Sequence, residues 1–283
     1  MSAQVDTPST LAARSRDENF SVASLLLPRA TRERLLAVYA FARLTDQIGD
    51  EWDGDRLARL DWVESELTAA AAGTATHPVF VQLEPVLARL DCGPGPFRDL
   101  IEANRVDQRV HAYATFEALR GYCMLSAAPV GRIVLSIFGA TTPERIAQSD
   151  DVCVALQLVE HLQDVGEDAL RGRVYLPQED LAAEGCDPSA LVEPAASSAL
   201  VRVIAGEVGR ARALLTRGEP LAASLPVRPR GAVAGLVGGG HAALDAIDRA
   251  GSDVLAVACR PTRRGVAWHA LRCLVAARRR GRR

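Results

Sequence analysis

The chain has 283 residues, of which 48% are hydrophobic and only 5% are aromatic. This composition excludes an intrinsically disordered chain, and the abundance of Ala, Leu, Val and Arg favours helix over sheet. The formal net charge of −2 conceals a strongly basic end, because residues 260–283 contain nine Arg and no acidic residue. A basic end of this kind is suited to contact with anionic lipid or nucleic acid.

The six cysteines are scattered and none forms a Cys-x-x-Cys pair, so a zinc site is disfavoured. Buried free thiols in a reducing cytoplasm are the simpler interpretation. The N-terminus lacks a secretory signal pattern, and no run of roughly 18 apolar residues could span a bilayer. The sequence therefore predicts a cytoplasmic protein, with peripheral contact at the inner face of the membrane left open.

The first half of the chain has the spacing of helices. Residues 1–18 are polar and are predicted to be a loose leader. Apolar periodicity and helix-start signals then predict four helices, over residues 29–51, 55–72, 78–90 and 96–113. Gly73 is expected to end the second helix, and Pro85 interrupts the third.

The second half continues the helical pattern. Thr115 is a plausible N-cap for a fifth helix, in which Pro129 predicts a kink, and Pro143 opens the sixth. A loop with a short helix follows, and further helices are predicted over residues 197–217, 230–250 and 263–280. No run of alternating strands and no repeat is apparent. The sequence predicts one all-α domain over residues 19–276, followed by a basic tail at 277–283.

Two aspartate pairs carry the strongest chemical signal. Asp46 and Asp50 lie four residues apart in the first helix, and Asp164 and Asp168 repeat the spacing at the end of the sixth. An i, i+4 pair shares one helix face, where two like charges repel. Four carboxylates converging across a bundle would need divalent cations, and Mg²⁺ commonly bridges carboxylates to phosphates. Solvated helix faces are the alternative for either pair taken alone.

Four motifs, in order along the chain, resemble the squalene and phytoene synthase family of head-to-head isoprenoid synthases. They are Glu18-Asn-Phe-Ser-Val-Ala-Ser-Leu-Leu-Leu-Pro28, Tyr39-Ala-Phe-Ala-Arg-Leu-Thr-Asp-Gln-Ile-Gly-Asp-Glu51, Tyr122-Cys123 with Val130-Gly131, and the stretch from Gln157 to Pro177. The resemblance implies an isoprenoid-synthase-type helical bundle with a central cavity, and an enzyme that uses Mg²⁺ to act on a prenyl diphosphate.

Within the family, the chain is similar to the hopanoid-pathway branch, the hydroxysqualene synthases. The cues are Glu18-Asn-Phe, Asn104-Arg-Val-Asp-Gln-Arg109, Ser126-Ala-Ala-Pro-Val-Gly131 and Gln157-Leu-Val-Glu-His161. That branch ionises presqualene diphosphate and lets water capture the rearranged cation, so no NADPH is expected. The alternative within the family is a squalene or phytoene synthase that condenses two prenyl diphosphates. Transfer of substrate from a partner synthase is left open.

The resemblance also assigns roles to individual residues. It implies metal binding by Asp46, Asp50, Asp164 and Asp168. It implies diphosphate contacts for Arg43 and Arg173, a polar cavity position for Gln157, and cation-facing aromatic positions for Tyr122 and Phe20. Surface ion pairing is the alternative for the two arginines, and a core position is the alternative for the tyrosine.

Several residues depart from the family pattern. Gln47 replaces a second consecutive aspartate, Glu160 replaces the usual asparagine, and Gln163 replaces the usual arginine. Glu160 is grouped with the substrate-binding residues; metal ligation, water positioning and simple solvation all remain open for it. His161 is expected to be a packing or supporting residue rather than a metal ligand, and Asp107 either lines the site or lies on a solvated face.

Other interpretations are weaker. The stretch from Gly235 to Gly240 follows no strand and is expected to serve close helix packing rather than nucleotide binding. A di-iron oxidase would need Glu-x-x-His motifs, which the chain lacks. A non-catalytic prenyl-lipid-binding partner remains an alternative of another class. The last helix is either an interfacial amphipathic helix or a packed helix with a frayed basic end, and nucleic-acid binding is the weakest option for it.

Overall fold

The computed structural model describes residues 27–280. The predicted leader, the N-terminal motif up to Leu26 with Phe20, and the last three residues of the predicted basic tail lie outside the described residues. Within them the chain is helical, and its only β pairing is an isolated bridge between Ala112 and Val174. The predicted all-α class is confirmed. None of the described helices is both long enough and apolar enough to cross a bilayer.

Thirteen α-helices and one 3-10 helix follow one another among the described residues. They are α1 (Arg29–Glu51), α2 (Arg56–Ala71), α3 (Pro78–Leu87), α4 (Gly95–Asp107), α5 (Phe116–Ser126), α6 (Ala128–Ile137), α7 (Pro143–Gln163), α8 (Val165–Leu170), α9 (Gln178–Ala183), the 3-10 helix Pro188–Val192, α10 (Ser198–Gly218), α11 (Pro220–Ser224), α12 (Val227–Arg249) and α13 (Arg263–Arg280).

The helices group into two compact units. The first unit contains residues up to Arg109 together with Pro129–Thr142, and therefore holds α1–α4 and most of α6. Its core is aromatic at the centre, where the Phe41 ring meets Phe80 and Phe97 edge-on at centroid distances of 5.9 and 5.2 Å. All three rings are fully buried, so this cluster fixes how α1 packs against α3 and α4.

The second unit contains Val110–Ala128 and the chain from Pro143 onward. Helix α10 packs along α7, and α12 packs along α13. The glycine-rich stretch lies inside α12, where a Cβ on Gly238 would approach the Ala270 nitrogen to 2.6 Å and one on Gly240 would approach Leu156 to 2.9 Å. The expectation of close helix packing is therefore confirmed. The prediction of a single domain over residues 19–276 stays a prediction.

The helix-start signals in the sequence correspond to side-chain caps. Asp55 accepts a hydrogen bond from the Ala58 N–H, Thr115 from that of Ala118, and Ser197 from that of Leu200. Helix α2 ends at Ala71, and Gly73 follows with a φ of +73°. The Thr115 cap and the helix end near Gly73 were predicted from the sequence, and Asp55 and Ser197 cap helices whose predicted ranges begin at those residues.

Several elements differ from the prediction. The fourth helix ends at Asp107 rather than residue 113, because residues 111–114 pair with a later loop instead of continuing the helix. The kink predicted near Pro129 is a full break at Ala127, which separates α5 from α6. A short helix, Pro220–Ser224, precedes α12 and was not predicted.

Candidate functional site

The first aspartate pair lies in the last turns of α1, within the first unit. Asp46 and Asp50 are one helical turn apart and both are exposed. The Asp46 carboxylate accepts a hydrogen bond from the side-chain amide of Asn104 on α4, with 3.3 Å between Oδ1 and Nδ2. Gln108 donates to the carbonyl of Gly49 at 3.0 Å. Helix α4 therefore holds the aspartate-bearing end of α1 through two side-chain amides.

Gly49 makes this approach of the two helices possible. A Cβ atom placed on Gly49 would lie 2.0 Å from Oδ1 of Asn104, far inside van der Waals contact. The glycine between the two aspartates is therefore required for packing, and Asn104 is a supporting residue to which the sequence analysis gave no role. Its only sequence signal was its place in the motif Asn104-Arg-Val-Asp-Gln-Arg109.

Like charges accumulate around Asp46. Its pKa is raised to about 6, chiefly because surrounding protein reduces its hydration, and further by the negative charges of Asp50 and Asp107. The hydrogen bond from Asn104 and the charge of Arg43 act in the opposite direction. The Asp46 surface stays accessible to solvent, so the raised pKa reflects crowding by protein atoms and carboxylates rather than complete removal from water. Asp107 thus contributes negative charge beside the first aspartate pair.

Arg43 lies one turn before Asp46 on the same helix. Its guanidinium Nη2 is 3.6 Å from the Glu51 carboxylate, and the side chain is partly buried. Its Nε is buried and has no hydrogen-bond partner within the described part of the chain. A guanidinium with an unused N–H donor beside two aspartates can donate hydrogen bonds to an anion such as a phosphate group.

The second aspartate pair lies in the second unit, where the helix of the motif is interrupted. Helix α7 ends at Gln163, and Asp164 has a non-helical backbone (φ −107°, ψ 14°) before α8 begins. The Asp168 N–H still donates to the Asp164 carbonyl at 2.8 Å, and the Arg173 N–H donates to the Asp168 carbonyl at 2.9 Å. The chain therefore turns back after α8, which keeps Arg173 close to the second aspartate.

Four carboxylates crowd the end of α7. Reduced hydration is the main reason that the pKa of Asp164 is raised, and the charges of Asp168 and Glu167 add to it. Reduced hydration and the charge of Asp164 likewise raise the pKa of Glu160, one turn earlier on α7. Both Glu160 and Asp164 have solvent-accessible surface. The structure therefore brings the carboxylates of this motif close enough to repel one another, in agreement with the negative charge that the sequence predicted for it.

Four aromatic side chains form a buried cluster beside the second motif. We call it the aromatic cluster, and its members are Tyr113, Tyr122, His161 and Tyr175. The rings of His161 and Tyr175 stack at a centroid distance of 3.8 Å with 12° between their planes. Tyr122 lies 5.7 Å from Tyr175 and 5.3 Å from Tyr113. The cluster presents aromatic rings at the motif that carries the carboxylates.

Two paired loop segments supply half of the aromatic cluster. The Val174 N–H donates to the His111 carbonyl at 2.7 Å, and the Gln178 N–H donates to the Tyr113 carbonyl at 2.9 Å. This pairing lays residues 111–114 beside residues 174–179 and brings Tyr113 and Tyr175 together. The sequence analysis gave neither tyrosine a role. Tyr175 lies in the stretch from Gln157 to Pro177 that resembles the family. No sequence motif indicates a role for Tyr113, because its position depends on pairing with a segment that is distant in sequence.

His161 connects the aromatic cluster to the carboxylates. Its Nε2 is 3.3 Å from the side-chain nitrogen of Gln157, and its Nδ1 is 3.9 Å from the Asp168 carboxylate. The ring is buried against Tyr175. This is the packing position expected for His161, and it brings Gln157, His161 and Asp168 together.

Gln163 points to a different part of the second unit. Its side-chain amide donates a hydrogen bond to the backbone carbonyl of Cys259. At the position where the resemblance to the family implies an arginine, this chain thus has a neutral side chain engaged in a structural hydrogen bond. The second motif consequently carries an additional carboxylate, Glu160, and no compensating cation at position 163.

The carboxylates of the two aspartate pairs suit a hard divalent cation that also binds the substrate. In the part of the chain that the structure describes, no group of three or more His, Cys, Asp or Glu side chains is arranged as a complete metal site. Each aspartate pair offers carboxylate oxygens only. Mg²⁺ is commonly held by one or two carboxylates, with waters and substrate phosphates completing the octahedron. The pairs therefore match a cation that is bound together with a phosphorylated ligand.

The sequence matches known proteins over most of its length. The family model for squalene/phytoene synthase matches residues 13–272. Hydroxysqualene synthase of Rhodopseudomonas palustris is 39% identical over 214 residues, which cover 74% of this chain and 72% of the relative. The 15-cis-phytoene synthase of Synechococcus elongatus is 36% identical over 179 residues, which cover 58% of each chain.

Solved structures agree in fold. The crystal structure of squalene synthase HpnC from Alicyclobacillus acidocaldarius aligns with a TM-score of 0.81 at 44% identity, over 87% of this chain and 94% of that one. A dehydrosqualene synthase aligns with a TM-score of 0.84 over 96% of each chain, and its 22% identity supports the fold alone. The chain therefore belongs to the squalene/phytoene synthase family and is an isoprenoid synthase that acts on a prenyl diphosphate.

Proposed function

We propose that the protein converts presqualene diphosphate to hydroxysqualene, with Mg²⁺ and without NADPH. The observation that carries this proposal is the second aspartate motif, in which Glu160 adds a carboxylate one turn before Asp164 and Gln163 supplies no cation. A more negative motif is poorly suited to hold a second diphosphate, as condensation of two prenyl diphosphates requires. The similarity to the Rhodopseudomonas palustris hydroxysqualene synthase supports the same choice.

Ionisation is the first step of the proposed reaction. The carbon–oxygen bond to the diphosphate breaks, and both electrons leave with the diphosphate oxygen. Mg²⁺ bound through Asp46, Asp50, Asp164 and Asp168 would supply the charge neutralisation that makes diphosphate a good leaving group. Arg43 and Arg173 bind the phosphate oxygens, because a guanidinium offers several N–H donors in a fork that matches them.

The aromatic cluster has the chemistry to protect the cation that remains. The faces of its tyrosine rings carry partial negative charge, which attracts a cation electrostatically. Burial of Tyr113, Tyr122 and Tyr175 keeps bulk water away from these rings. Gln157 and Asp168, which lie near the two ring nitrogens of His161, hold the imidazole in its stack on Tyr175. This arrangement gives the carbocation time to rearrange before a water molecule captures it.

Water capture completes the proposed reaction. A water oxygen forms the new carbon–oxygen bond, and one proton must leave the resulting oxonium. Glu160 is a solvent-accessible carboxylate one turn from Asp164, in a position where the family usually has an amide that cannot serve as a base. We assign Glu160 the role of proton acceptor and water-positioning group. The atoms balance as presqualene diphosphate plus water giving hydroxysqualene, diphosphate and a proton.

Incubation of the purified protein with presqualene diphosphate and Mg²⁺, with no NADPH, tests the proposal directly. Mass spectrometry of the extracted products should detect hydroxysqualene, and its oxygen should derive from ¹⁸O-labelled water. Chelation of the metal should abolish the product, and the variant Glu160→Asn should lose hydroxylated product while still consuming substrate. Unreacted presqualene diphosphate, or conversion that does not require a divalent cation, would overturn the proposal.

Condensation of two prenyl diphosphates is the second candidate function. The observation in its favour is the 36% identity to a 15-cis-phytoene synthase, close to the 39% identity to a hydroxysqualene synthase. The two functions differ in what they do with farnesyl diphosphate alone. Rapid formation of presqualene diphosphate from it would favour condensation, whereas its recovery unchanged, beside turnover of presqualene diphosphate, would favour the first proposal.

A further inference from the structure

The last helix presents an apolar stripe to solvent. On α13, Trp268, Leu271 and Val275 are 60%, 56% and 42% exposed. They are spaced at i, i+3 and i+7 and therefore lie on one face of the helix. Single exposed apolar residues are ordinary, but a continuous stripe with a tryptophan is not explained by packing within the described residues.

The opposite face of α13 is anchored to the second unit. His269 Nε2 lies 2.7 Å from the Asp245 carboxylate, and the buried Cys273 thiol contacts the Glu219 carbonyl at 3.8 Å. Gly238 allows the backbones of α12 and α13 to approach closely. The helix is thus held in one rotational setting, and the apolar stripe is its outward side rather than a face that could turn inward.

Arginines flank the stripe without acidic partners. Arg264 and Arg272 are exposed on the same side of α13, and neither forms an ion pair with any described carboxylate. By contrast, Arg212 and Arg217 on α10 each pair with an aspartate, at 3.0 Å in both cases. Asp253 is the last acidic residue of the chain, whereas nine Arg follow from position 260. The charges of Arg264 and Arg272 are therefore not neutralised by any carboxylate among the residues that the structure describes.

We propose that the outward face of α13 docks on an anionic lipid surface. An apolar stripe with tryptophan suits the boundary between head groups and acyl chains, and the flanking arginines suit lipid phosphates. A nucleic acid would match the arginines but would leave Leu271 and Val275 without an apolar environment. An acidic protein would match the charge as well, but only a bilayer interface provides an extended apolar layer beneath a continuous anionic one. The inference does not depend on which prenyl diphosphate is the substrate.

Vesicle flotation of the full-length protein tests this assignment. Neutral phosphatidylcholine vesicles are compared with vesicles that contain roughly 30% phosphatidylglycerol, at low and at high salt. The protein should float only with the anionic vesicles, and high salt should release it. Arg264→Gln combined with Arg272→Gln should weaken binding about 25-fold, from about fivefold per arginine. Trp268→Ser combined with Leu271→Ser should weaken it by at least about tenfold.

A matched control changes two exposed valines on other elements. Val81→Ser with Val192→Ser also removes exposed apolar surface and should leave binding unchanged. Equal helical circular dichroism and equal thermal unfolding will show that all variants are folded. Equal flotation of the parent and the Trp268/Leu271 variant would overturn the proposal, as would equal binding to neutral vesicles. A dimeric parent that this variant converts to a monomer, with no change in flotation, would assign the face to a second copy instead.

Discussion

The unfolding free energy of the Glu207→Gln variant, measured relative to that of the parent protein, is expected to increase as the pH increases. Glu207 lies on α10 with 2% of its surface exposed. One carboxylate oxygen accepts a hydrogen bond from Arg210, while Oε2 has no partner among the described residues. Burial raises its pKa from 4.5 to about 7; the Arg210 charge opposes this rise and the nearby Asp180 charge adds to it.

The sign follows from proton binding in the two states. The unfolded chain loses the Glu207 proton near pH 4.5, whereas the folded protein keeps it until about 7. Between these values the folded state binds more protons, so the stabilisation is complete below the unfolded pKa and is lost as the pH rises through the folded pKa. At about 1.4 kcal/mol per pKa unit, the shift corresponds to about 3 kcal/mol.

Urea unfolding followed by circular dichroism measures this difference. The unfolding free energy of Glu207→Gln minus that of the parent should increase by about 2 to 3 kcal/mol between about pH 5 and about pH 8. Other titrating groups, such as His241, are common to both proteins and cancel in the difference. Glu193→Gln changes an exposed carboxylate in the same way and should give a flat difference, because solvent hydrates that side chain in both states. A flat or falling difference for Glu207→Gln would refute the reasoning.

Three further predictions concern the site. Asp164→Asn should lower kcat with presqualene diphosphate by at least about a hundredfold without a change in thermal stability, because it removes a proposed metal ligand from a solvent-accessible position. Gly49→Ala should destabilise the protein by about 1 to 3 kcal/mol in urea unfolding, because its Cβ would lie 2.0 Å from the Asn104 amide oxygen. Tyr175→Leu should reduce kcat, measured by product mass spectrometry, more than Tyr175→Phe does, because only the phenylalanine keeps the ring that stacks on His161.

Each of these predictions has its own contradicting outcome. Full activity of Asp164→Asn would remove that aspartate from the reaction and favour a protein that binds prenyl lipids without transforming them. If Asn104→Ala failed to recover part of the stability lost in Gly49→Ala, the clash would not be the cause. Equal kcat for the leucine and phenylalanine variants at Tyr175 would mean that ring electrostatics contribute nothing there.

The sequence specified the local features of this fold well. Helix α1 matches its predicted range because apolar residues recur with helical period throughout Arg29–Glu51. The cap at Thr115 was visible in the sequence because capping depends on neighbours in the chain, and the helices capped by Asp55 and Ser197 follow directly on the residues at which their predicted ranges begin. The aspartate pairs were found for the same reason, since their spacing is itself the signal.

Features that depend on distant residues were missed. Residues 108–113 are compatible with a helix, and only the pairing of residues 111–114 with residues 174–179 ends α4 early. The helix break at Asp164 was likewise not predictable, because that position has neither a proline nor a glycine. Asn104 and Tyr113 acquire their roles from contacts more than 50 residues away in sequence. Periodicity carries no information about such contacts.

The pairing between residues 111–114 and 174–179 has a consequence for amide exchange with solvent. Loop residues and the first residues of a helix, whose amides have no partner within the helix, normally exchange their amide hydrogens quickly. The amides of Val174, Gln178 and Glu179 are instead donors to backbone carbonyls at 2.7, 2.9 and 3.0 Å, and the carboxylate of Glu179 accepts the Phe116 N–H at 2.8 Å. Deuterium labelling should therefore find slowly exchanging amides in residues 174–179, directly after the exposed Arg171 and Gly172. Faster exchange of these amides would indicate that Tyr113 has separated from Tyr175.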